Sequence, residues 1–251
     1  KDNGISIINI DDNYCEYYKV GNYVTYGFND SNYKITNFKL NSLGSYFEIM
    51  DYKINTRLIG KYNIYNAACT VIVLDILKYS KDKIENVMSR LLPPPGRMDI
   101  IKYNTNTIII DYAHTPDAME NVIKTVKEIN HNKIYIVFGC TGSRDRIKRP
   151  VMMQLALNNS DYVFVTSDDL HEEEFENIVH DMLEHNTYNH YLVEKDRGKA
   201  IKLAMSKMIN DDILLILGKG HEEVIIVGNN KIPFNDKKEV LKLIQEKVEI
   251  N

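Results

Sequence analysis

Cysteine is scarce in this sequence: Cys15, Cys69 and Cys140 stand far apart, with no CxxC spacing. That excludes a zinc site built on cysteine and a disulfide framework, and it suits a reducing cytosol, so a cytoplasmic location is expected. No apolar run approaches the roughly 18 to 20 residues needed to span a bilayer, and no signal-peptide pattern opens the chain; membrane insertion is not expected. An excess of one charge sign is missing too, since 31 Lys and Arg face 35 Asp and Glu for a formal net charge of −4. Without a basic field the chain has no general means of holding nucleic acid or an anionic membrane, and any anion must be held by a local site. The seven histidines lack HExxH or similar spacing, which argues against a transition-metal centre. His131, His180, His185 and His190 read as surface residues. What the sequence does have is ordinary globular composition, 44% hydrophobic and 26% charged over 251 residues, which rules out disorder and leaves room for one large domain or two smaller ones.

Residues 5–10, 23–28, 33–40, 46–49 and 56–59 read as short strands separated by polar turns such as Asn29-Asp-Ser-Asn32, a pattern that favours antiparallel pairing. Helical spacing follows over 63–79 and again over 83–91. Leu92-Pro-Pro-Pro-Gly96 ends the second helix, because proline neither donates to a helix nor lets the residue before it stay helical. A domain boundary is placed there. Beyond it, apolar runs at 107–111, 133–138, 162–166 and 213–217 alternate with amphipathic helices at 115–130, 150–158, 175–184 and 197–208. Such alternation predicts a doubly wound α/β domain, its parallel sheet buried on both faces. Residues 224–227 and a last helix over 236–248 are expected at the sheet edge.

In an open α/β sheet ligands bind beyond the carboxyl ends of the strands, and here those ends are loaded with polar residues. They read Asp111-Tyr-Ala-His114, Gly139-Cys-Thr-Gly142-Ser-Arg144-Asp-Arg146, Ser167-Asp168-Asp169-Leu-His171 and Gly218-Lys219-Gly-His-Glu222. Together they predict one crevice able to hold a zwitterion and anions. The 139–150 stretch, with permissive glycines, several cations and Pro150 suited to a helix's first turn, reads as an anion cradle. Residues 218–222 are no P-loop, since GxxxxGK[ST] is absent, and two glycines alone also occur in ordinary tight turns. Asp111 and His114 are not half of a hydrolase triad, because no Ser or Cys sits on a nucleophile elbow. Glu172-Glu-Glu174 reads as a solvated helix start favoured by the macrodipole.

Taken in order, these segments resemble the Mur ligase family, in particular the branch that adds the third residue of the peptidoglycan stem peptide. The resemblance rests on Ile59-Gly-Lys-Tyr-Asn-Ile-Tyr-Asn66-Ala-Ala, Pro95-Gly-Arg97-Met-Asp, Asp111-Tyr-Ala-His-Thr-Pro-Asp-Ala118, Val137-Phe-Gly-Cys-Thr-Gly-Ser-Arg-Asp-Arg-Ile-Lys-Arg-Pro150, Thr166-Ser-Asp-Asp-Leu-His171, Asp196-Arg197 and Gly218-Lys-Gly-His-Glu222. It implies a fold in which a Rossmann-like doubly wound C-terminal domain (95–251) follows the β-rich tail (1–94) of a central P-loop ATPase domain. The P-loop, a carbamoylated lysine and a uridine-nucleotide domain are then expected outside this sequence, and the isolated chain is expected to be inactive.

The resemblance also implies a chemistry: ATP phosphorylates the γ-D-glutamyl carboxylate of UDP-MurNAc-L-Ala-D-Glu, and an amino acid's amine attacks the acyl phosphate. ATP and Mg2+ are the implied cofactors, the metal's ligands lying mainly outside this chain, and a monomer is expected. Asn66, Arg97 and Asp111 match nucleotide-binding positions, and His114 and Lys219 are the candidate catalytic residues. His114 either touches phosphate or shapes its turn. In the amino-acid pocket Arg144 matches the grip on the α-carboxylate, Gly218 and Glu222 the groups on the amino end, and Asp168, Asp169 and His171 the specificity motif. Members that add diaminopimelate read Asp-Asn-Pro-Arg there, whereas this chain reads Asp-Asp-Leu-His. An acidic pocket without that Arg favours a diamino acid ending in an amine, L-lysine or L-ornithine, over meso-diaminopimelate, which would need His171 or Arg146 as its cation. The alternatives are another amide ligase of the superfamily, of the folylpolyglutamate or cyanophycin synthetase kind, and a noncatalytic amino-acid or nucleotide-binding module.

Overall fold

The computed structural model describes residues 4–41 and 44–248, which divide into two units, Lys1–Pro93 and Pro94–Asn251. In the first, β1 (Ser6–Asn9), a 3₁₀ turn (Cys15–Tyr18), β2 (Tyr23–Gly27), β3 (Tyr33–Asn41), β4 (Gly44–Ile49) and β5 (Tyr52–Thr56) precede α1 (Lys61–Ile76) and α2 (Lys81–Arg90). The five strands lie in sequence order. The expectation of antiparallel pairing holds for β3, β4 and β5, but β1 pairs parallel to β2, and β2 meets β3 in parallel at Tyr26–Tyr33 and Gly27–Lys34. Alternation reports which face is buried and is silent on strand direction; the long 10–22 connection with its 3₁₀ turn lets the chain return for a parallel neighbour. The strand expected over 56–59 instead ends at Thr56: Tyr52, Ile54 and Thr56 alternate inward, while Leu58 and Ile59 bury themselves on the way into α1. Ile64, Ala67, Ala68, Val71 and Ile72 of α1, with Ile84 and Met88 of α2, close over Phe47, Ile49 and Ile54.

The second unit opens with β6 (Asp99–Tyr103), β7 (Asn106–Asp111), α3 (Pro116–Lys127), β8 (Ile134–Phe138), α4 (Lys148–Asn159), β9 (Tyr162–Val165), α5 (Phe175–Met182), β10 (Tyr191–Val193), α6 (Arg197–Lys207) and β11 (Ile213–Leu217). Their sheet runs β10-β9-β8-β11-β7-β6, parallel throughout except for β6 at one edge. This is the doubly wound α/β architecture. β7, β8 and β11 are buried along their whole length, as continuous apolar runs require. β12 (Val224–Val227), expected at the sheet edge, instead forms a separate antiparallel hairpin with β13 (Asn230–Pro233), ahead of α7 (Asp236–Val248). Local signals start the helices cleanly: Thr115 Oγ1 accepts from Ala118 N–H at 3.3 Å with Pro116 in the first turn of α3, and Asp196 Oδ1 accepts from Lys199 N–H at 3.0 Å at the start of α6.

Candidate active site

Beyond the carboxyl ends of β7, β8, β9 and β11 lies a cavity of about 530 Å³. It brings together His114, Arg144, Asp168, Asp169, His171, Gly218 and Glu222, with Tyr112, Thr115, Thr141, Asp145, Lys148 and Ile226 completing the lining. Sheet order explains the convergence, because β11 inserts between β7 and β8 and so draws the loops after four strands to one point.

Close backbone approach shapes the floor. Gly218 has φ +108°, and a Cβ there would lie 2.5 Å from Asp168 Oδ2. Gly96 and Gly220 also have positive φ, and a Cβ on Gly96 would lie 2.1 Å from the His221 nitrogen, so the 95–97 turn can lie on the 218–222 loop only with glycine at that position. Lys219 is absent from the cavity lining and is held against two residues that form it. Its side chain is 1% exposed, and Nζ lies 2.7 Å from Asp169 Oδ1 and 2.6 Å from Glu222 Oε2. Burial works against its charge, but the carboxylates of Asp168, Asp169 and Glu222 outweigh burial and hold the ammonium above the ordinary lysine range. Burial pushes the Asp168 carboxyl up, against the pull of Arg197 and Lys219.

Asp111 does not line the cavity either. Both of its oxygens accept backbone hydrogen bonds, from Met98 N–H at 2.7 Å and Ala113 N–H at 2.8 Å, which ties the turn after Gly96 to the end of β7. Burial raises its pKa, and the two amides and Arg97 oppose that rise. Arg97 is exposed, with its guanidinium 4.7 Å from the centre of the Tyr112 ring. That ring also meets His114 and His221, with centroids 4.7 and 5.4 Å away. The His114 Nδ1 lies 2.8 Å from the Tyr112 carbonyl oxygen, an acceptor. Nδ1 therefore carries a proton, and in the neutral ring Nε2 is left as the acceptor.

The loop after β8 is held from below. Arg149 is buried and forms ion pairs with Glu173 and Asp181 at 2.7 Å, while Glu173 Oε2 accepts from the Ser143 N–H at 2.9 Å. The Arg149 hydrogen bonds bring the Glu173 carboxyl down to about 2. Glu173 thus departs from the solvated helix start expected of the 172–174 run: Arg149 reaches it from a distant helix. Arg146, offered by the sequence as a cation for a distal carboxylate, lies outside the cavity lining and grips Asp181 through two bonds of 2.8 and 2.9 Å. Arg144 is exposed, lines the cavity and makes no ion pair among the described residues. The loop after β9 is pinned by β12, where Asp169 Oδ1 accepts from Ile226 N–H at 2.8 Å and Leu170 N–H donates to the Ile226 carbonyl at 2.8 Å. His171 adopts φ +49° at that junction.

Asn66 sits exposed on α1 of the first unit, its amide 3.3 Å from Asn63 Oδ1. Among the described residues no group of three or more His, Cys, Asp or Glu is arranged to hold a metal ion, and no helix is long and apolar enough to cross a membrane. Tyr112 and Lys148 escaped the sequence reading although both lie inside stretches it singled out; Ile226 carried no local signal at all.

Residues 96–220 match the family described as Mur ligase, glutamate ligase domain, and residues 1–74 the Mur ligase middle domain. Among curated proteins the chain is 36% identical to UDP-N-acetylmuramoyl-L-alanyl-D-glutamate--2,6-diaminopimelate ligase 1 of Clostridium acetobutylicum, over 96% of this chain and 52% of that protein. It is likewise 36% identical to the corresponding diaminopimelate ligase of Aquifex aeolicus, over 96% of this chain and 51% of that protein. The chain thus spans about half the length of the curated relatives it matches. A solved UDP-N-acetylmuramoyl-L-alanyl-D-glutamate--2,6-diaminopimelate ligase superposes with a TM-score of 0.66 at 30% identity, covering 97% of this chain and 53% of that one. A MurF ligase from Thermotoga maritima in complex with ADP gives 0.69 at 18% identity, over 99% and 55%, a likeness of fold alone.

Proposed function

Because this chain belongs to the Mur ligase family, we propose that it supplies the amino-acid pocket and part of the nucleotide site of an ATP-dependent ligase that adds a diamino acid to UDP-MurNAc-L-Ala-D-Glu. On this reading residues 1–94 are the closing part of a central ATP-binding domain and residues 95–251 the C-terminal domain of a cytoplasmic enzyme acting as a monomer. The observation that carries it is the cavity itself, where the unpaired Arg144 shares a lining with Gly218 and Glu222. A planar guanidinium suits an α-carboxylate, and a carbonyl with a carboxylate suits an ammonium, so the pair of ends fits an amino acid. The substrate's γ-carboxylate oxygen takes the γ-phosphoryl group of ATP, the bond to the β-phosphate oxygen breaks, and an acyl phosphate and ADP result. The amine then forms the new C–N bond, the C–O bond to phosphate breaks, and inorganic phosphate departs while the nitrogen loses its proton. The residues here contribute position and charge: Arg97 toward the nucleotide, with Asp111 holding the turn that carries it through the Met98 N–H, Asn66 toward its base, and His114 shaping the loop after β7 through its Nδ1 bond to the Tyr112 carbonyl. Magnesium would be held mainly by groups outside this chain.

For the added residue, L-lysine or L-ornithine is favoured. Four acidic side chains (Asp145, Asp168, Asp169, Glu222) and two basic ones (Arg144, Lys148) line the cavity. Arg146 is spent on Asp181, and His171 stands where a diaminopimelate clamp would need Arg. Diaminopimelate is the second reading, favoured by the names of the relatives above. The test is phosphate release from ATP by a full-length ligase that includes this chain, given UDP-MurNAc-L-Ala-D-Glu and each of L-lysine, L-ornithine and meso-diaminopimelate. A diamine preference supports the pocket reading, diaminopimelate preference replaces it with the second, and no turnover with any of the three removes the assigned reaction.

A further inference from the structure

Lys219 was expected among the catalytic groups, yet its surroundings suit a different task. The ammonium lies behind the cavity wall, 1% exposed, and joins two loops that the chain keeps far apart: Asp169 belongs to the loop after β9 and Glu222 to the loop after β11. Each partner is itself anchored. Asp169 Oδ1 also accepts from Ile226 N–H, and its own N–H donates to Asp168 Oδ1 at 2.7 Å. Glu222 Oε1 faces the Tyr112 hydroxyl at 3.5 Å, and the Glu222 N–H donates to the Lys219 carbonyl at 3.0 Å. We infer that Lys219 is a positioning residue for amino-acid recognition: its ammonium locks the 168–171 loop to Glu222 and keeps both carboxylates aimed, without touching the reacting atoms. The inference rests on the function proposed above.

Charge accounting supports it. Asp168, Asp169 and Glu222 crowd one ammonium, and the next cation, Arg197, is committed to Asp236 through bonds of 2.7 and 2.9 Å. Tyr112 also faces Glu222, and burial together with that carboxylate keeps its phenol protonated to higher pH, against Arg97. An ammonium held above the ordinary lysine range by three carboxylates is a poor general base. Take it away, and like charges face one another across the loop junction. Asp168, whose charge the ammonium supports against burial, then protonates at higher pH, and Glu222 loses the partner that aims it at the incoming amine.

The test compares Lys219→Met and Lys219→Arg with the parent in a full-length ligase that includes this chain. Lys219→Met is expected to raise the KM for the amino acid by roughly 10- to 100-fold, the scale of a lost hydrogen bond to a charged group, and to move the acid limb of kcat/KM to higher pH. The KM for ATP and the kcat at saturating amino acid should stay within about threefold, while Lys219→Arg, which keeps the charge, leaves the acid limb in place. A collapse of kcat with KM unchanged, or an acid limb that does not move in Lys219→Met, overturns the inference. If Lys219→Met does not fold, Lys219→Met/Asp169→Asn, which leaves no charge stranded at 169, carries the same pH measurement. Amide hydrogen exchange on the 251-residue chain provides an independent arm. Lys219→Met should lose protection in both the 168–171 and 218–222 segments, and unchanged protection there overturns the positioning role whatever the substrate. Lost protection in a protein whose parent turns over no amino acid would instead remove the assigned reaction and leave the loop coupling standing.

Discussion

Replacing Arg197 with methionine strikes a fully buried tie of the second unit. Arg197 and Asp236 are both fully buried, paired at 2.7 Å, and Arg197 also donates to the carbonyls of Ser167 at 3.3 Å and Leu217 at 2.9 Å. Those carbonyls lie immediately before Asp168 and Gly218, so one guanidinium fastens two of the loops that build the cavity to the start of α7. Arg197→Met leaves a carboxylate uncompensated in the interior and two carbonyls without this donor, which is expected to cost about 3–5 kcal/mol. For a domain of this size that corresponds to a fall in Tm of roughly 6–20 °C. Arg197→Met/Asp236→Leu strands no charge, so it should recover much of the loss and give a coupling energy of about 2 kcal/mol. The carbonyls still lack the Arg197 donor, and recovery remains incomplete. Urea unfolding followed by circular dichroism, read for the transition of the second unit, measures each term. Arg197→Met within about 1 kcal/mol of the parent, or a double variant no more stable than the single one, would refute the reasoning.

Two further outcomes are expected. Gly218→Ala forces a Cβ to within 2.5 Å of Asp168 Oδ2 at φ +108°, so it should destabilise the chain by about 2–3 kcal/mol, and a Tm equal to the parent's would show that the loop relaxes freely. Glu173 has its folded pKa depressed to about 2 from an ordinary value of 4.5, so its contribution to stability is fully present above about 4.5 and is lost as pH falls through about 2. The stability gap between parent and Glu173→Gln should accordingly be widest near neutrality and close toward pH 2, and a gap independent of pH over that window would contradict the ion-pair origin.

The elements that could be read in advance are those with strong local pattern. β7, β8 and β11 are continuous apolar runs, and α3 and α6 announce themselves through Thr115-Pro116 and Asp196. β6, β10 and β13 went unread because short edge strands take their structure from a neighbour's hydrogen bonds: β10 spans Tyr191–Val193 only, and β13 is exposed at every position. The direction of β1 against β2 was unreadable for a related reason, since alternation is the same for either direction. In the site, the strand-end position of Arg144, Asp168, Gly218 and Glu222 followed from the α/β pattern alone, whereas Glu173 looked like a solvated residue until a helix formed far along the chain brought Arg149 onto it.

The order of residues by itself determined the alternation of strands and helices and the polar loops after each parallel strand, because each depends on neighbours within a few positions. Tertiary structure decided which of those side chains face one another. It turned Lys219 inward between Asp169 and Glu222, committed Arg146 to Asp181 while leaving Arg144 open to the cavity, and set Ile226 against the 168–171 loop. Burial and ion pairing act through space, and the energy of a charge depends on the partners and the solvent it meets only once the chain has folded.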